Sequence, residues 1–418
     1  MRLSEDDQAA LDGRRGEAQR LAMRVITRVG EAMGAADLLD ITGAHIDSCL
    51  YHGQVGLDFA QRLLDGGGEV VVPTTLNVAS LDLIHPELYR GDPDTGAAAR
   101  QLMELYEALG CSPTWTCAPY QLEARPDFGD HVAWAESNAI VFANSVLGAR
   151  THRYGDFIDI CAAITGRAPA AGLHLDENRL ATFELRVEGV SPELVDRDLL
   201  YPVLGHFLGG VAGSEVAAIT GLPSHLGEDR LKALGSAAAS SGSVGLFHAV
   251  GSTPEAATLE QALGLNTPTR IVKVGPKQLR DARKELSTTA SSKLGVVSLG
   301  TPHYSMAEFV RLAEVLGNQV VHRSVAMYVS TGRDVLLEIG LRGIARVLQD
   351  AGVQIVTDTC TYITPVMAEV DGVAMTDSAK WAYYAPGNLA VEVVFGSVED
   401  CVRSAVVGRV VRDEDLWV

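Results

Sequence analysis

Short β-branched and aliphatic runs, each ending in glycine, proline, serine or threonine and handing over to an amphipathic stretch, recur through the second half of the chain. Strand patterns that alternate with helical ones predict parallel strands joined by crossover helices, an α/β fold. Residues 244–250 read as a buried strand, followed by a helix that Ser252 or Thr253 caps with Pro254 in its first turn. Residues 271–274 lead through Gly275 and Pro276 into a charged helix from Lys277 to Leu286, and 294–299 lead through Gly300-Thr-Pro-His-Tyr304 into a helix opened by the capping box Ser305-Met-Ala-Glu308. Residues 334–348 read as one helix, stopped near Gly352 before a strand over 353–356. In the first half, 69–72 read as a strand ending at Pro73-Thr-Thr-Leu-Asn77, a helix before Gly110 gives way to a polar turn over 111–120, and 131–151 read as a buried helix with polar interruptions. Small composition shifts near Leu185 and Ser287 set three regions, 1–185, 186–286 and 287–418, that pack as one body; neither a linker nor a tandem repeat separates them.

Composition narrows the function classes. The 418 residues hold 53 acidic and 34 basic side chains, a net charge of -19, so a phosphate backbone or an anionic leaflet would repel the chain. No basic run offsets this, and nucleic acid and membrane are excluded as main partners. With 47% hydrophobic residues the chain can bury a core, and no stretch nears the roughly 20 apolar residues of a membrane helix. The N-terminus is polar and acidic rather than a signal sequence, which predicts a soluble, cytoplasmic protein. Six scattered cysteines do not make a disulfide scaffold. Cys-x-x-Cys, His-Glu-x-x-His, P-loop and Gly-x-Gly-x-x-Gly strings are all missing, so dithiol, zinc-hydrolase, NTPase and Rossmann readings lose their signals.

Candidate chemistry lies in the turns, because open α/β sheets bind ligands beyond the carboxyl ends of their strands. His45, in Thr42-Gly-Ala-His-Ile-Asp47, is a proton-transfer group or a plain core histidine. Thr74, Thr75 and Asn77 suit a substrate carboxylate or an ordinary cap. Glu136, Asn138, Asn144, Ser145 and Arg150 interrupt an apolar run, and each costs desolvation unless something satisfies it. Arg150 suits bidentate binding of a carboxylate or phosphate, against the alternative of an ion pair. Cys117 and Cys360 end polar turns where a thiolate could meet a metal or a cluster, or remain inert. Lys380, with Tyr384 after it, could hold an anionic substrate or be solvated.

These strings together resemble the large subunit of the aconitase X family, a divergent branch of the aconitase superfamily, from about residue 10 onward. The carrying phrases are Ala44-His-Ile-Asp47, Pro73-Thr-Thr-Leu-Asn77, Thr116-Cys-Ala-Pro-Tyr120, Ala135-Glu-Ser-Asn138 with Ala143-Asn-Ser-Val-Leu-Gly-Ala-Arg150, Phe247-His-Ala-Val-Gly-Ser-Thr-Pro-Glu-Ala256 and Lys380-Trp-Ala-Tyr-Tyr384. The resemblance implies an aconitase-like multi-domain three-layer α/β body and a hydro-lyase. Such an enzyme removes water from a small anionic or zwitterionic hydroxy acid, such as cis-3-hydroxy-L-proline or mevalonate 5-phosphate, with an iron-sulfur cluster as Lewis acid. It implies Cys117 and Cys360 as cluster ligands, His45, Glu136, Ser145, His303 and Lys380 as catalytic groups, and Thr74, Thr75, Asn77, Asn138, Asn144, Arg150 and Tyr384 around the substrate.

Two positions depart from the family pattern. Thr301 stands where a third cysteine is expected, a hard oxygen in place of a soft thiolate, and Asp377 stands where asparagine is usual. A cluster of two cysteines, one completed by another residue such as His303, a different divalent metal, or none therefore remain open. The family's mobile swivel domain does not fit within this chain, so a separate small subunit is expected to close the site. The competing readings are a cluster-free isomerase, cyclase or lyase on the same scaffold, which Thr301 favours, and a non-catalytic metabolite-binding subunit.

Overall fold

The computed structural model describes residues 1–414 and Trp417, and the chain divides into two units. The first comprises residues 1–81 and 92–180; the second comprises 82–91 and the chain from 181 onward. Five short strands belong to the first: β1 (Leu38–Asp40), β2 (Gly43–Ile46), β3 (Thr74–Leu76), β4 (Val132–Trp134) and β5 (Arg167–Pro169). β2 is the middle of a parallel sheet flanked by β3 and β4, and β1 pairs antiparallel with β5. The helix Glu17–Ala32 buries Ala18, Ala22, Met23 and Ile26 along one stripe and packs on Ile158–Thr165. That helix, IDICAAIT, is buried from Asp159 to Ile164, so its one carboxylate must be satisfied internally.

The second unit holds two parallel sheets. β6 (Phe183–Val187), β7 (Ala217–Thr220), β8 (Phe247–Ala249) and β9 (Ile271–Val274) lie in the order β8-β7-β6-β9. β10 (Leu294–Leu299), β11 (Ala326–Ser330), β12 (Val353–Val356), β13 (Val373–Thr376) and β14 (Val393–Phe395) lie in the order β12-β11-β10-β13-β14. The middle strands are buried almost throughout, as strands covered on both faces must be. Val297, Leu299, Met327 and Val329 meet Phe309, Leu312, Leu348 and Cys401 in one core that joins the sheet to the helices Met306–Leu316, Ile344–Asp350 and Val398–Val407. The chain thus has the expected α/β class, with parallel pairing everywhere except β1 with β5.

Several local expectations fail, each for a physical reason. Residues 69–72 are not a strand: the Val70 and Val71 amides bond the Leu109 and Ala163 carbonyls, so the ladder begins only at Thr74. No helix follows Ser252, because the Thr253 hydroxyl accepts from the Ala249 amide at 3.1 Å and closes a turn; the next helix starts at Leu259 under a Thr258 cap. The single helix expected over 334–348 is two, Arg333–Leu341 and Ile344–Asp350, broken where Gly343 takes φ +75. Residues 131–151 form a strand, the helix Ser137–Phe142 and a π-helical turn over Ala143–Leu147, not one long helix. By contrast, the Ser305–Glu308 capping box opens the helix Met306–Leu316 as read.

Lys232, in the helix Glu228–Ser241, ties that helix to Met306–Leu316. Its ammonium is 3% exposed and meets Asp229 at 3.0 Å and the Glu308 carboxylate. Burial alone would lower the Lys232 pKa, but the two facing carboxylates more than offset it and hold the charge. Replacing Lys232 by Met strands Glu308 beside Asp229 without a counter-ion, so the unfolding free energy should fall by about 3 kcal/mol in urea titrations. Lys232→Met with Glu308→Gln should recover most of that loss, and a single-variant loss below about 1 kcal/mol would show that the pair behaves as a surface pair.

Candidate active site

In the first unit the carboxyl ends of β2, β3 and β4 gather the polar residues. His45, on β2, is fully buried, and its Nδ1 meets the Thr75 hydroxyl at 2.8 Å. Burial lowers its pKa to about 3, so the ring is neutral at physiological pH. One turn on, the Asn77 amide donates to the Asp47 carboxylate. Burial, and then the nearby carboxylates of Glu136, Asp156 and Asp159, push the Asp47 pKa up to about 7. Asp159 holds this turn in place: its carboxylate accepts from the Asp47 amide at 2.7 Å, the Ser48 amide at 3.1 Å and the Ser48 hydroxyl at 2.9 Å.

β4 delivers Glu136 and Asn138 to the same edge. Glu136 caps the helix Ser137–Phe142, accepting from the Ala139 amide at 2.8 Å and from the Asn138 amide group. Asn138 also donates to the Cys117 carbonyl at 3.0 Å and accepts from the Tyr120 hydroxyl at 2.6 Å, which fixes the turn that carries the Cys117 thiol. Thr74 hydrogen-bonds the Val72 carbonyl at 2.8 Å and is a structural residue of the strand start. The rest of the 131–151 cluster is drawn into the scaffold. Asn144 bonds Thr151 in both directions and receives the buried Arg179 guanidinium at 2.9 Å, while Arg150 pairs with Asp176 and donates to the His174 carbonyl at 3.1 Å. Ser145 is buried in the π-helical turn.

In the second unit the strand order fixes the site. β10 has β11 and β12 on one side and β13 and β14 on the other, so the chain reverses its direction of growth between β10 and β13, and a crevice opens beyond their carboxyl ends. Thr301 and Asp377 with Ser378 line that crevice, and the Ser378 hydroxyl donates to the Thr301 carbonyl. Gly300 makes the turn possible: it has φ +82, and a Cβ there would lie 2.2 Å from the Ser330 carbonyl oxygen. The Thr301 hydroxyl is buried and has no hydrogen-bond partner among the described residues. Thr301, Tyr304, Asp377, Lys232, Asp198 and His225 are among the residues around a cleft of about 1120 Å³, into which the carboxyl ends of both sheets open.

His303 is fully buried, and its Nε2–H donates to the Thr359 carbonyl at 3.2 Å, which leaves the lone pair on Nδ1. Burial, with Lys232 and Lys380 nearby, lowers its pKa to about 4. A ring nitrogen of His303 and the Cys360 sulfur lie within 4.8 Å of one another. Cys360 is held by a braced turn: Asp358, at φ +61, takes the Arg333 fork at 2.7 and 2.8 Å and the Leu83 amide at 3.1 Å, while Asp82 takes the amide and hydroxyl of Thr357. Lys380 is buried in the first turn of the helix Ala379–Leu389, not solvated, and Tyr384 stacks on Tyr362 with ring centroids 5.8 Å apart. The Tyr304 hydroxyl donates to Asp377, whose pKa burial pushes up to about 6.

Sequence reasoning missed Asp47, Asp377 as a titrating group, and the Lys232–Glu308 pair. Asp47 ends a phrase already singled out, and its place one residue past a buried strand was the available signal. Nothing in the string around Lys232 marks it as buried.

Thiols, neutral imidazoles and carboxyls that titrate near neutrality, gathered at the carboxyl ends of parallel strands, define an α/β enzyme for proton transfer on a polar substrate. Sequence models of the aconitase X first, second and third domains match residues 1–177, 181–284 and 294–407. The chain is 43% identical to the cis-3-hydroxy-L-proline dehydratase of Pseudomonas aeruginosa, over 100% of this chain and 72% of that protein. It is 33% identical to the phosphomevalonate dehydratase large subunit of Methanosarcina mazei, over 98% of each. The crystal structure of Thermococcus kodakaraensis aconitase X in its holo-form superposes with a TM-score of 0.87 at 30% identity, over 97% of this chain and 100% of that one. The chain belongs to the aconitase X family. By that membership it is a carbon–oxygen lyase of the hydro-lyase class. No helix among the described residues is long and apolar enough to cross a membrane.

The raised Asp47 pKa gives a pH signature. A carboxyl whose folded pKa lies above its unfolded value adds stability below the unfolded pKa and loses it as pH rises through the folded one, here from about 4 to about 7. Asp47→Asn removes that loss, so the drop in unfolding temperature between about pH 5 and about pH 8 should narrow by about 2–4 °C. An unchanged drop would place Asp47 in water as an ordinary carboxylate.

Proposed function

We propose that the chain dehydrates a small hydroxy acid, with cis-3-hydroxy-L-proline the first substrate to test and mevalonate 5-phosphate the second. The observation that carries this reading is the 43% identity to a dehydratase named for the proline substrate, sustained over the whole chain. In such an elimination a C–H and a neighbouring C–O bond break, a double bond forms and water leaves, so the site must accept a proton from carbon and assist a poor leaving group. Asp47, titrating near neutrality, suits the exchange of that proton, with Glu136 beside it. Lys380 and Asn77 suit the substrate carboxylate, with His45 and His303 orienting as neutral imidazoles and Thr75, Ser145 and Tyr384 shaping the pocket. Asn144 and Arg150 are already engaged in the scaffold, which favours a supporting role for them.

In the second unit the residues that would hold a metal are Cys360 and His303, and Cys117 of the first unit is a candidate thiol by the family resemblance. A thiol beside an imidazole suits a single iron or zinc ion better than a cluster on three cysteines. Neutral His303 can donate a lone pair without losing a proton first. A bound ion would polarise the departing hydroxyl as a Lewis acid. A small partner subunit is part of the proposal, supported by the match to proteins named as large subunits and by the longer proline-specific relatives.

The test is anaerobic purification of the chain, alone and with a candidate small subunit, followed by iron, zinc and acid-labile sulfide analysis and assay on both hydroxy acids. Stoichiometric metal without sulfide, lost in Cys117→Ala and Cys360→Ala together with about 100-fold or more of the activity, is expected. Thr301→Cys should shift the balance toward sulfide-containing protein. A metal-free chain that turns over either substrate would instead support the cluster-free reading, which the unpartnered Thr301 hydroxyl favours. Full activity of the large chain alone would remove the partner subunit from the proposal.

A further inference from the structure

A second cavity of about 770 Å³ lies in the second unit, among Arg280, Arg283, Lys284, Arg412, Glu414 and Trp417. It flanks the edge strand β14: the Thr288 hydroxyl accepts from the Val393 amide at 2.8 Å at the start of that strand, and the Ser287 hydroxyl accepts from the Phe395 amide at 3.0 Å at its end. None of its lining residues lines the cleft around Thr301 and Asp377. The cavity sets four basic side chains against the single carboxylate of Glu414 among its described residues, in a chain of net charge -19. No run of basic residues announces this, because Arg412 comes from a segment about 130 positions away from the others.

The ordinary account of basic residues here is the end of the helix Pro276–Glu285, where Arg283 and Lys284 face its last carbonyls. That account explains their charge but not the void or its unpaired donors. Arg283 is 6% exposed and Trp417 3% exposed. The Arg283 guanidinium stacks over the Trp417 ring at 5.1 Å and donates to Glu414 at 2.7 Å, yet its Nε–H and the Trp417 indole N–H have no acceptor among the described residues. Arg412 reaches Glu414 at 3.1 Å and the Ser287 hydroxyl at 3.3 Å from the other side. Two buried donors without acceptors, inside a basic cavity with serine and threonine hydroxyls on its wall, call for an oxyanion. The volume is that of an organic ligand rather than a bare ion.

We propose that this cavity is a binding site for a phosphorylated small molecule, separate from the dehydratase site and independent of the substrate assigned there. The test is isothermal titration of the full chain at low salt with glucose 6-phosphate, inorganic phosphate and glucose, alongside Trp417→Phe and the exposed-residue double variant Arg280→Gln/Lys284→Gln, which should fold normally. Saturable binding of glucose 6-phosphate, absent with glucose, weakened about tenfold or more in the double variant and accompanied by a fluorescence change that Trp417→Phe abolishes, is expected. Inorganic phosphate binding as tightly as glucose 6-phosphate would assign the site to the free anion. Binding that the double variant leaves unchanged, or no binding of either phosphate up to about 10 mM, would overturn the proposal.

Discussion

The order in which strands are added to the five-stranded sheet decides where chemistry can happen in the second unit. β10 is laid down first, two strands are added on one side and then two on the other, and the helices leaving β10 and β13 therefore diverge. Every residue of interest in this unit hangs on that divergence. Thr301 and His303 follow β10, Asp358 and Cys360 follow β12, and Asp377, Ser378 and Lys380 follow β13. A parallel sheet points all its carboxyl ends one way, so residues scattered over eighty positions share one edge without any sequence motif to connect them. The first unit applies the same rule on a smaller scale, with Asp47, Asn77 and Glu136 one or two residues past β2, β3 and β4.

Holding polar groups at such an edge requires bracing, and the bracing uses more polar residues than the site itself. Asp159 takes three hydrogen bonds to fix one turn, Asn138 takes three partners to fix another, and behind Cys360 Asp82 receives the amide and hydroxyl of Thr357 while Asp358 receives the Leu83 amide and the Arg333 guanidinium. Each is a buried or half-buried carboxylate or amide that would be destabilising if left unpaired. Positions fixed in this way are what an elimination needs, because a proton acceptor displaced by an ångström loses much of its effect.

Much of this was legible in the sequence, though unevenly. The α/β class and the β10 turn with its capping box followed from alternating runs and the Ser305–Glu308 signature, since both are local. The polar cluster from Glu136 to Arg150 was also visible, but its division into an edge half and a scaffold half was not, because Asn144 and Arg150 are satisfied by Thr151, Arg179 and Asp176 through tertiary contacts. The broken helix at Gly343 and the turn at Thr253 differ from the reading, since an apolar period survives a two-residue break and a threonine before proline caps turns as readily as helices. The basic cavity was invisible in principle, as its charges meet only when residues near 283 and 412 are folded together.

The carboxyl edges of each unit are also poor in fixed charge for surfaces so polar. His45 and His303 are neutral, and Asp47 and Asp377 titrate between about 6 and 7 instead of standing as permanent anions. An acidic residue at 377 therefore adds less negative charge to this edge than its identity suggests, because burial raises its pKa to about 6 even though the hydrogen bond from the Tyr304 hydroxyl favours the charged form. Thr301 belongs to the same pattern. A thiolate there would add a buried anion to this edge, and a neutral hydroxyl avoids that charge at the cost of a softer ligand. Neutral donors lower the total negative charge around any bound cation, which keeps it more electrophilic toward a hydroxyl leaving group. A hydroxyl at Thr301 thus keeps this edge less anionic, whereas a carboxyl at 377 adds charge that burial only reduces.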